Sequence, residues 1–307
     1  MRNFLRQYAA ITLSMVFWSL SFVWFKIANK SYGPITIIFI RLSIAVAFLS
    51  LLLWITKGFQ KIEREDRKYF FFLAFFEPFT YFLGESFGLT YVSSTVGSVI
   101  ISTIPVFVIL FAWIIYRERL KFINYLGAII SFAGILIFIA SPNGSISISL
   151  KGLLLLLLAV CSAVGYGMVL HRLAPKYSAI VIVNIQNAIG AVLFLPLFLI
   201  FDLKNFVDTG IVPDSFSVIV LLAIFASSGA FALFAYSVKS LGISKANVFS
   251  NLIPGMTAFF AFLLVHEKIT LQNIIGLIVV ITGLFLSQRG SVEKQHEEEI
   301  ALSGKSA

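Results

Sequence analysis

The feature that most constrains this chain is a run of about twenty apolar residues that recurs along almost its whole length, broken only by short polar segments. A bilayer core of roughly 30 Å is crossed by about 20 helical residues. Ten such runs lie near 8–27, 35–55, 69–89, 96–116, 122–140, 152–170, 180–201, 216–238, 246–265 and 271–286. Continuous runs predict helices, which satisfy their own backbone hydrogen bonds in lipid; a closed barrel would show alternating strands instead. Composition agrees: with 59% hydrophobic and 12% charged residues, the chain lacks the polar surface that water requires. The fold expected is an all-α membrane protein of ten transmembrane helices.

The formal charge of +9 does not point to nucleic acid, because the basic residues sit between apolar runs with no binding motif around them. They report topology. With the amino terminus inside, 17 Lys and Arg fall on the inner side and 4 on the outer, while Lys26 and Arg41 lie within runs. Cytoplasmic loops retain positive charge, so both termini are expected in the cytoplasm. The setting implied is a cell membrane crossed many times, the bacterial inner membrane, with lipid as the surrounding partner. The polar segments at 57–68 and 201–215 are too short to be domains, and the Glu-rich tail at 288–307 is expected to be disordered. Cys161 is the one cysteine, which rules out an intrachain disulfide framework. The first run shows no small-x-small cleavage site and reads as a permanent span rather than a signal peptide.

The chain repeats itself. Pro105, Glu118, Gly127 and Gly134 recur as Pro254, Glu267, Gly276 and Gly283 at a constant offset of 149. A weaker match at an offset of 145 places Trp18 to Lys26 over Ala163 to His171, and Arg41 over Gln186. Residues 1–141 and 150–287 thus form two repeats of five spans each. An odd number makes the second half enter the membrane inverted, an arrangement common in secondary transporters. These motifs, with Trp18-Ser19-Leu20-Ser21-Phe22-Val23 and Arg41, resemble the EamA-type members of the drug/metabolite transporter superfamily. That resemblance implies two inverted bundles around a central cavity and movement of a small metabolite, often an amino acid or related compound. Ser19 stands where the family commonly has Gly, and Val265-His266-Glu267-Lys268 departs from Tyr116-Arg117-Glu118-Arg119.

Glu77 and Glu85 are the two acids well inside a span, where an ionisable group is costly enough to require a reason. By helix rise Arg41 lies roughly 9 Å and Glu85 roughly 6 Å below the outer surface, near enough to pair. Tyr81 shares the helix face of Glu85. The functional reading gives Glu77 a proton or the cationic group of a substrate, with Glu85 and Arg41 as an orienting pair or gate; the alternative is a buried pair that only fixes packing. Pro78 frees a carbonyl beside Glu77, as suits a cavity wall. Ser98 and Ser102 map onto Asn247 and Asn251, each pair spaced i, i+4, so two polar stripes are expected to face the cavity unless they serve interhelical hydrogen bonding. Trp18 and Tyr166 lie deep enough to line the site. Pro105 and Pro254 are expected to kink paired helices. Glu118 and Glu267 read as solvated partners of Arg119 and Lys268, and Gly127, Gly134, Gly276 and Gly283 as packing residues. Trp24, Trp54, Trp113, Tyr8 and Tyr116 suit an interfacial belt, and Lys26 can snorkel.

No catalytic set, metal-ligand cluster or cofactor motif appears, so the chain does not read as an enzyme. The expected function is secondary transport, export being the direction favoured, of a small organic solute by alternating access, with protons as a candidate coupling ion. A lipid flippase or scramblase, or a non-transporting membrane sensor or enzyme, are the competing readings.

Overall fold

A computed structural model describes the backbone of residues 2–108, 111, 122–139 and 149–303, and the side chains of these apart from 2–5, 139, 243–244 and 288–303. Trp113, Tyr116, Glu118 and the basic residues beside it lie outside the described residues. Every regular element among the described residues is helical. The first half comprises α1 (Arg2–Ala28), α2 (Pro34–Ile55), α3 (Arg67–Ala74), α4 (Tyr81–Tyr91), α5 (Ser94–Ile101) and α6 (Phe122–Ile139). The second comprises α7 (Leu150–Leu173), α8 (Ala179–Leu197), α9 (Leu203–Thr209), α10 (Pro213–Leu221), α11 (Phe231–Leu241), α12 (Ile243–Val248), α13 (Ile253–Val265) and α14 (Leu271–Ser303).

Among the described residues six helical stretches are long and apolar enough to cross a membrane: Arg6–Ala28, Pro34–Ile55, Leu150–Leu173, Ala179–Thr209, Pro213–Leu241 and Lys245–Val265. Shorter apolar helices cover Ser94–Val108, Phe122–Phe138 and Leu271–Ser287. The run expected at 69–89 is not one helix. It is α3 and α4 joined by a π-helical segment, Phe75–Thr80, inside which Glu77 takes an extended conformation (φ −146°, ψ 117°) and the Glu77–Pro78 peptide is cis. Two more π-helical segments follow, Phe198–Asp202 between α8 and α9, and Leu222–Ala230, which joins α10 to α11 and is the second of the two that line up across the repeat. The two coincide at the repeat offset of 149, which carries 75–80 onto 224–229. Insertions of this kind concentrate at functional sites, because the extra residue frees backbone groups and re-aims side chains.

The prolines break helices rather than bend them. Ser102 and Thr103 form a turn after α5, with Pro105 the second residue of the helical piece that follows, and Phe249–Leu252 is a 3-10 turn ahead of α13, where Pro254 is again second. A proline in the first turn of a helix gives up an N–H that has no intrahelical acceptor anyway.

The repeat glycines meet one another. A Cβ on Gly127 would fall 2.7 Å from the Gly283 carbonyl, and one on Gly134 would fall 3.0 Å from the Gly276 carbonyl. Gly127 faces Gly283 and Gly134 faces Gly276, so α6 and the start of α14 lie antiparallel with backbones in contact. Without a side chain at these four points the helices approach closely enough to gain the dispersion contacts that hold helices together in lipid. Elsewhere α1 packs on α10 and α11, α3 and α4 on α7, α2 on α8, and α5 on α13.

One expectation about the loops is corrected. Glu267 is not a solvated partner of Lys268: its carboxylate accepts the backbone N–H of Ser94 (2.8 Å) and Thr95 (3.3 Å) and the Thr95 hydroxyl (2.7 Å), capping α5. His266, in the left-handed conformation (φ 55°, ψ 36°), ends α13 and turns the chain so that Glu267 reaches across. A carboxylate at a helix amino terminus meets unpaired N–H groups and the positive end of the dipole. Past its apolar run α14 continues to Ser303. Beyond Gly290 it is rich in Glu, Lys, Gln, Ala and Leu, which favour helix, and contains no proline.

Candidate functional site

Between the two halves lies a cavity with about 770 Å³ of empty space, its mouth included. Seven of the ten residues singled out in the sequence line it: Trp18 from α1, Arg41 from α2, Glu77 at the helix break, Tyr81 and Glu85 from α4, Tyr166 from α7 and Asn247 from α12. Phe22, Phe82, Phe231 and Phe234 complete an aromatic wall, in which Trp18 meets Phe231 at 5.2 Å and Phe234 at 5.0 Å between ring centroids. Both halves of the chain contribute.

Ser98, Ser102 and Asn251 stand off the lining. Each is buried, and the Ser98 and Ser102 hydroxyls donate to the carbonyls of Thr95 and Val99 one turn back. The i, i+4 argument assumed unbroken α-helix. The 3-10 turn at Phe249–Leu252 rotates later residues away from the face set by Asn247, so Asn247 reaches the cavity and Asn251 does not; Ser98, within unbroken α5, is turned from the cavity by the placement of that helix.

Arg41 and Glu85 were expected to pair, and they are instead held apart by separate scaffolds. Arg41 Nε donates to Ser227 Oγ (2.8 Å) and the guanidinium lies 4.1 Å over the Phe82 ring. Ser227 belongs to the π-helical segment Leu222–Ala230, and its carbonyl accepts from Asn187 Nδ2 (2.9 Å). Glu85 Oε1 accepts from the Tyr81 hydroxyl at 3.0 Å. Glu77 has no hydrogen-bonded or ion-paired partner among the described residues, and the carbonyl of Phe76 beside it accepts from Ser162 Oγ (2.7 Å). Two carboxylates and one guanidinium, each no more than 7% exposed, therefore face one apolar space with unused hydrogen-bonding capacity. A charge so placed is costly unless something else completes it.

A further pair of polar groups adds to this. Gln186, the repeat counterpart of Arg41, is wholly buried beside the Tyr166 hydroxyl, and neither side chain makes a hydrogen bond of good geometry, with the other or with any described group. Buried polar atoms without partners are rare and mark places where water or a ligand completes the structure. Ser227, Asn187 and the phenylalanines were not singled out in the sequence. The available signal was Ser227-Ser228-Gly229, small and polar inside an apolar run and aligned with Pro78-Phe79-Thr80.

Among the described residues no group of three or more His, Cys, Asp and Glu is placed to hold a metal. Comparison with known proteins gives a consistent picture. The profile of the EamA-like transporter family matches twice, over residues 5–140 and 150–288. An uncharacterized transporter of Archaeoglobus fulgidus is 26% identical over 93% of this chain and 99% of its own length. The uncharacterized transporter YcxC of Bacillus subtilis is 27% identical over 90% of each chain. One solved crystal structure superposes with a TM-score of 0.65 over 92% of this chain and 96% of that one; at 14% identity it speaks to the fold alone.

Proposed function

Because the chain belongs to the EamA-like transporter family and is a multi-pass membrane transporter, we propose that it is a secondary carrier, working as an exporter, for a small amphoteric solute such as an amino acid or a related compound. The observation that carries this reading is the separation of charge in the cavity. Arg41 offers an N–H fork to an anionic group, while Glu77 and Glu85 offer acceptors to a cationic one, with aromatic walls for an apolar body between them. A pre-formed cleft with few convergent polar groups is how proteins select small solutes.

The inverted arrangement of ten spans is supported by the pairing of Gly127 with Gly283 and Gly134 with Gly276, since each contact maps onto the other when the repeats are exchanged. Such symmetry lets one scaffold take two equivalent shapes open to opposite faces. Both termini are placed in the cytoplasm on the charge asymmetry of the loops.

The test is metabolite profiling of medium from cells with and without the protein, followed by uptake of the enriched solute into liposomes. Enrichment of an amphoteric solute is the expected result; saturable transport of none, with movement of labelled lipid instead, would overturn the proposal. In the same assay Glu77→Gln is expected to leave some transport but flatten its pH dependence, because position 77 then has no proton to bind or release. Unaltered pH dependence in that variant would remove Glu77 from the coupling step.

A further inference from the structure

Two hydrogen-bonded clusters join the halves far from the cavity. In the first, the Tyr32 hydroxyl accepts from the backbone N–H of Val212 (2.8 Å) and donates to the Gly210 carbonyl (3.0 Å), while the Ser31 and Ser215 hydroxyls meet at 2.8 Å. In the second, the Tyr177 hydroxyl accepts from the backbone N–H of Glu63 (3.2 Å) and donates to Asp66 Oδ2 (2.9 Å), while Lys176 Nζ reaches both oxygens of Asp66 at 2.8 and 3.2 Å. The offset of 145 carries Ser31 and Tyr32 onto Lys176 and Tyr177, and the offset of 149 carries Glu63 and Asp66 onto Val212 and Ser215. Two bonds of each cluster therefore correspond, Tyr32–Val212 with Tyr177–Glu63 and Ser31–Ser215 with Lys176–Asp66, while the tyrosine hydroxyls donate to unlike acceptors, the Gly210 carbonyl and the Asp66 carboxylate. Each ties the loop after the first helix of one half to the residues that open α3 or α10 of the other half. By loop charge one lies at the outer face and one at the inner.

We propose that these clusters are the paired locks of the carrier, Tyr32 holding the outer face shut and Tyr177 the inner, released alternately as the cavity turns from one side to the other. The proposal rests on the alternating-access reading. A loop contact that recurs across an inverted repeat on the opposite face is where the two open shapes must differ, because exchanging the repeats exchanges the faces. Tyr32 and Tyr177 are positioning residues: neither touches the cavity. The bonds they make run to backbone groups and, for Tyr177, to the Asp66 carboxylate as well, and water can take them over when the lock opens.

The locks differ in chemistry. The outer one is neutral, whereas in the inner one fully buried Asp66 meets the ammonium of Lys176, with Glu63 3.8 Å away and Arg172 nearby. The hydrogen bond that Lys176 donates holds the Asp66 carboxyl below its ordinary value of 3.8, against the opposing effect of burial, and the same bond holds the Lys176 ammonium above 10.5. Burial is the main reason the Tyr177 phenol is pushed up. A lowered acid contributes its full stabilisation above the ordinary carboxylate range and loses it as pH falls through the lowered value; a raised base contributes fully below its ordinary value and loses it as pH rises through the raised one. The inner lock keeps its charge pair throughout the interval between, so its release is mechanical and not a titration at neutral pH.

The test uses the full chain with Cys161→Ser and a reporter, Ile104→Cys, on the cavity wall, labelled by a membrane-impermeant thiosulfonate in right-side-out and inside-out vesicles. Tyr177→Phe is expected to raise labelling from the inner face relative to the outer by about threefold to tenfold, the effect of one or two lost hydrogen bonds, and Tyr32→Phe to move the ratio the other way. Lys176→Met and Ser215→Ala repeat the comparison if either tyrosine variant fails to fold. Equal shifts of the same sign, or an unmoved ratio with solute uptake intact, would overturn the locks while leaving the carrier standing. A parent protein labelled from one face alone, with or without solute, would instead overturn alternating access itself and the locks with it.

Discussion

Arg41→Ala is expected to reduce solute transport by about 100-fold or more, with the protein still reaching the membrane. Arg41 is the one cation on the described cavity wall, and its removal leaves Glu77 and Glu85 facing an apolar space with no compensating charge. Truncating one member of a desolvated charged cluster costs about 2–5 kcal/mol, much of it from the charges left behind. Arg41→Lys keeps the charge but forfeits the Nε bond to Ser227 and the stacking over Phe82, so it should recover only part of the loss. Uptake per molecule of membrane-inserted protein in liposomes is the measurement. Wild-type rates for Arg41→Ala would mean that the solute's anionic group binds elsewhere or does not exist.

Gly276→Leu is expected to prevent stable folding. Even a Cβ there would lie 2.7 Å from the Phe138 Cα and backbone nitrogen, so α6 and α14 must separate to accept a side chain. Forcing extra atoms into a packed contact costs about 1–3 kcal/mol or more. Here the strain falls on backbone, which cannot move aside as a side chain does. Gly134→Leu, which strikes the same contact from the opposite helix, should match it. Gly255 provides the control: nothing lies within 4 Å of a Cβ added there, and Gly255→Ala should be neutral or slightly stabilising. Thermal unfolding of the detergent-purified proteins, followed by the loss of the monodisperse species, would show both effects. Equal midpoints for Gly276→Leu and Gly255→Ala would contradict the close pairing of these helices.

Much of this architecture was legible because lipid imposes simple rules. Apolar runs became helical wherever the described chain allows a comparison, the run at 69–89 being broken at Glu77, and the spacing of Gly127, Gly134, Gly276 and Gly283 marked a contact, although not that the four glycines face one another. The buried acids were equally visible, since nothing but a local reason justifies carboxylates such as Glu77 and Glu85 at that depth. Finer features were hidden by the assumption of regular helix. The 3-10 turn at Phe249–Leu252 shifts the phase of the side chains between Asn247 and Asn251, which is why one of that pair lines the cavity and the other does not. Proline at 78 hinted at the π-helical break at Phe75–Thr80, while the one at Leu222–Ala230 has no proline to announce it. Arg41 bonds Ser227, 186 residues away, and Glu267 caps a helix 173 residues away. Charge alone suggested nearer partners in both cases, and only packing decides between them.

The cysteine variants Lys30→Cys and Lys176→Cys, each in a Cys161→Ser background, put the inverted arrangement to its most direct test. Both sites lie in the loop after the first helix of their half, one position apart when the repeats are aligned. Labelling of intact cells with an impermeant thiol reagent should modify the cysteine at 30 and spare the one at 176, which should react only after the membrane is opened. Modification of both from the same side would contradict two halves of opposite orientation, and a cavity shared between them could not then serve as the carrier's central site.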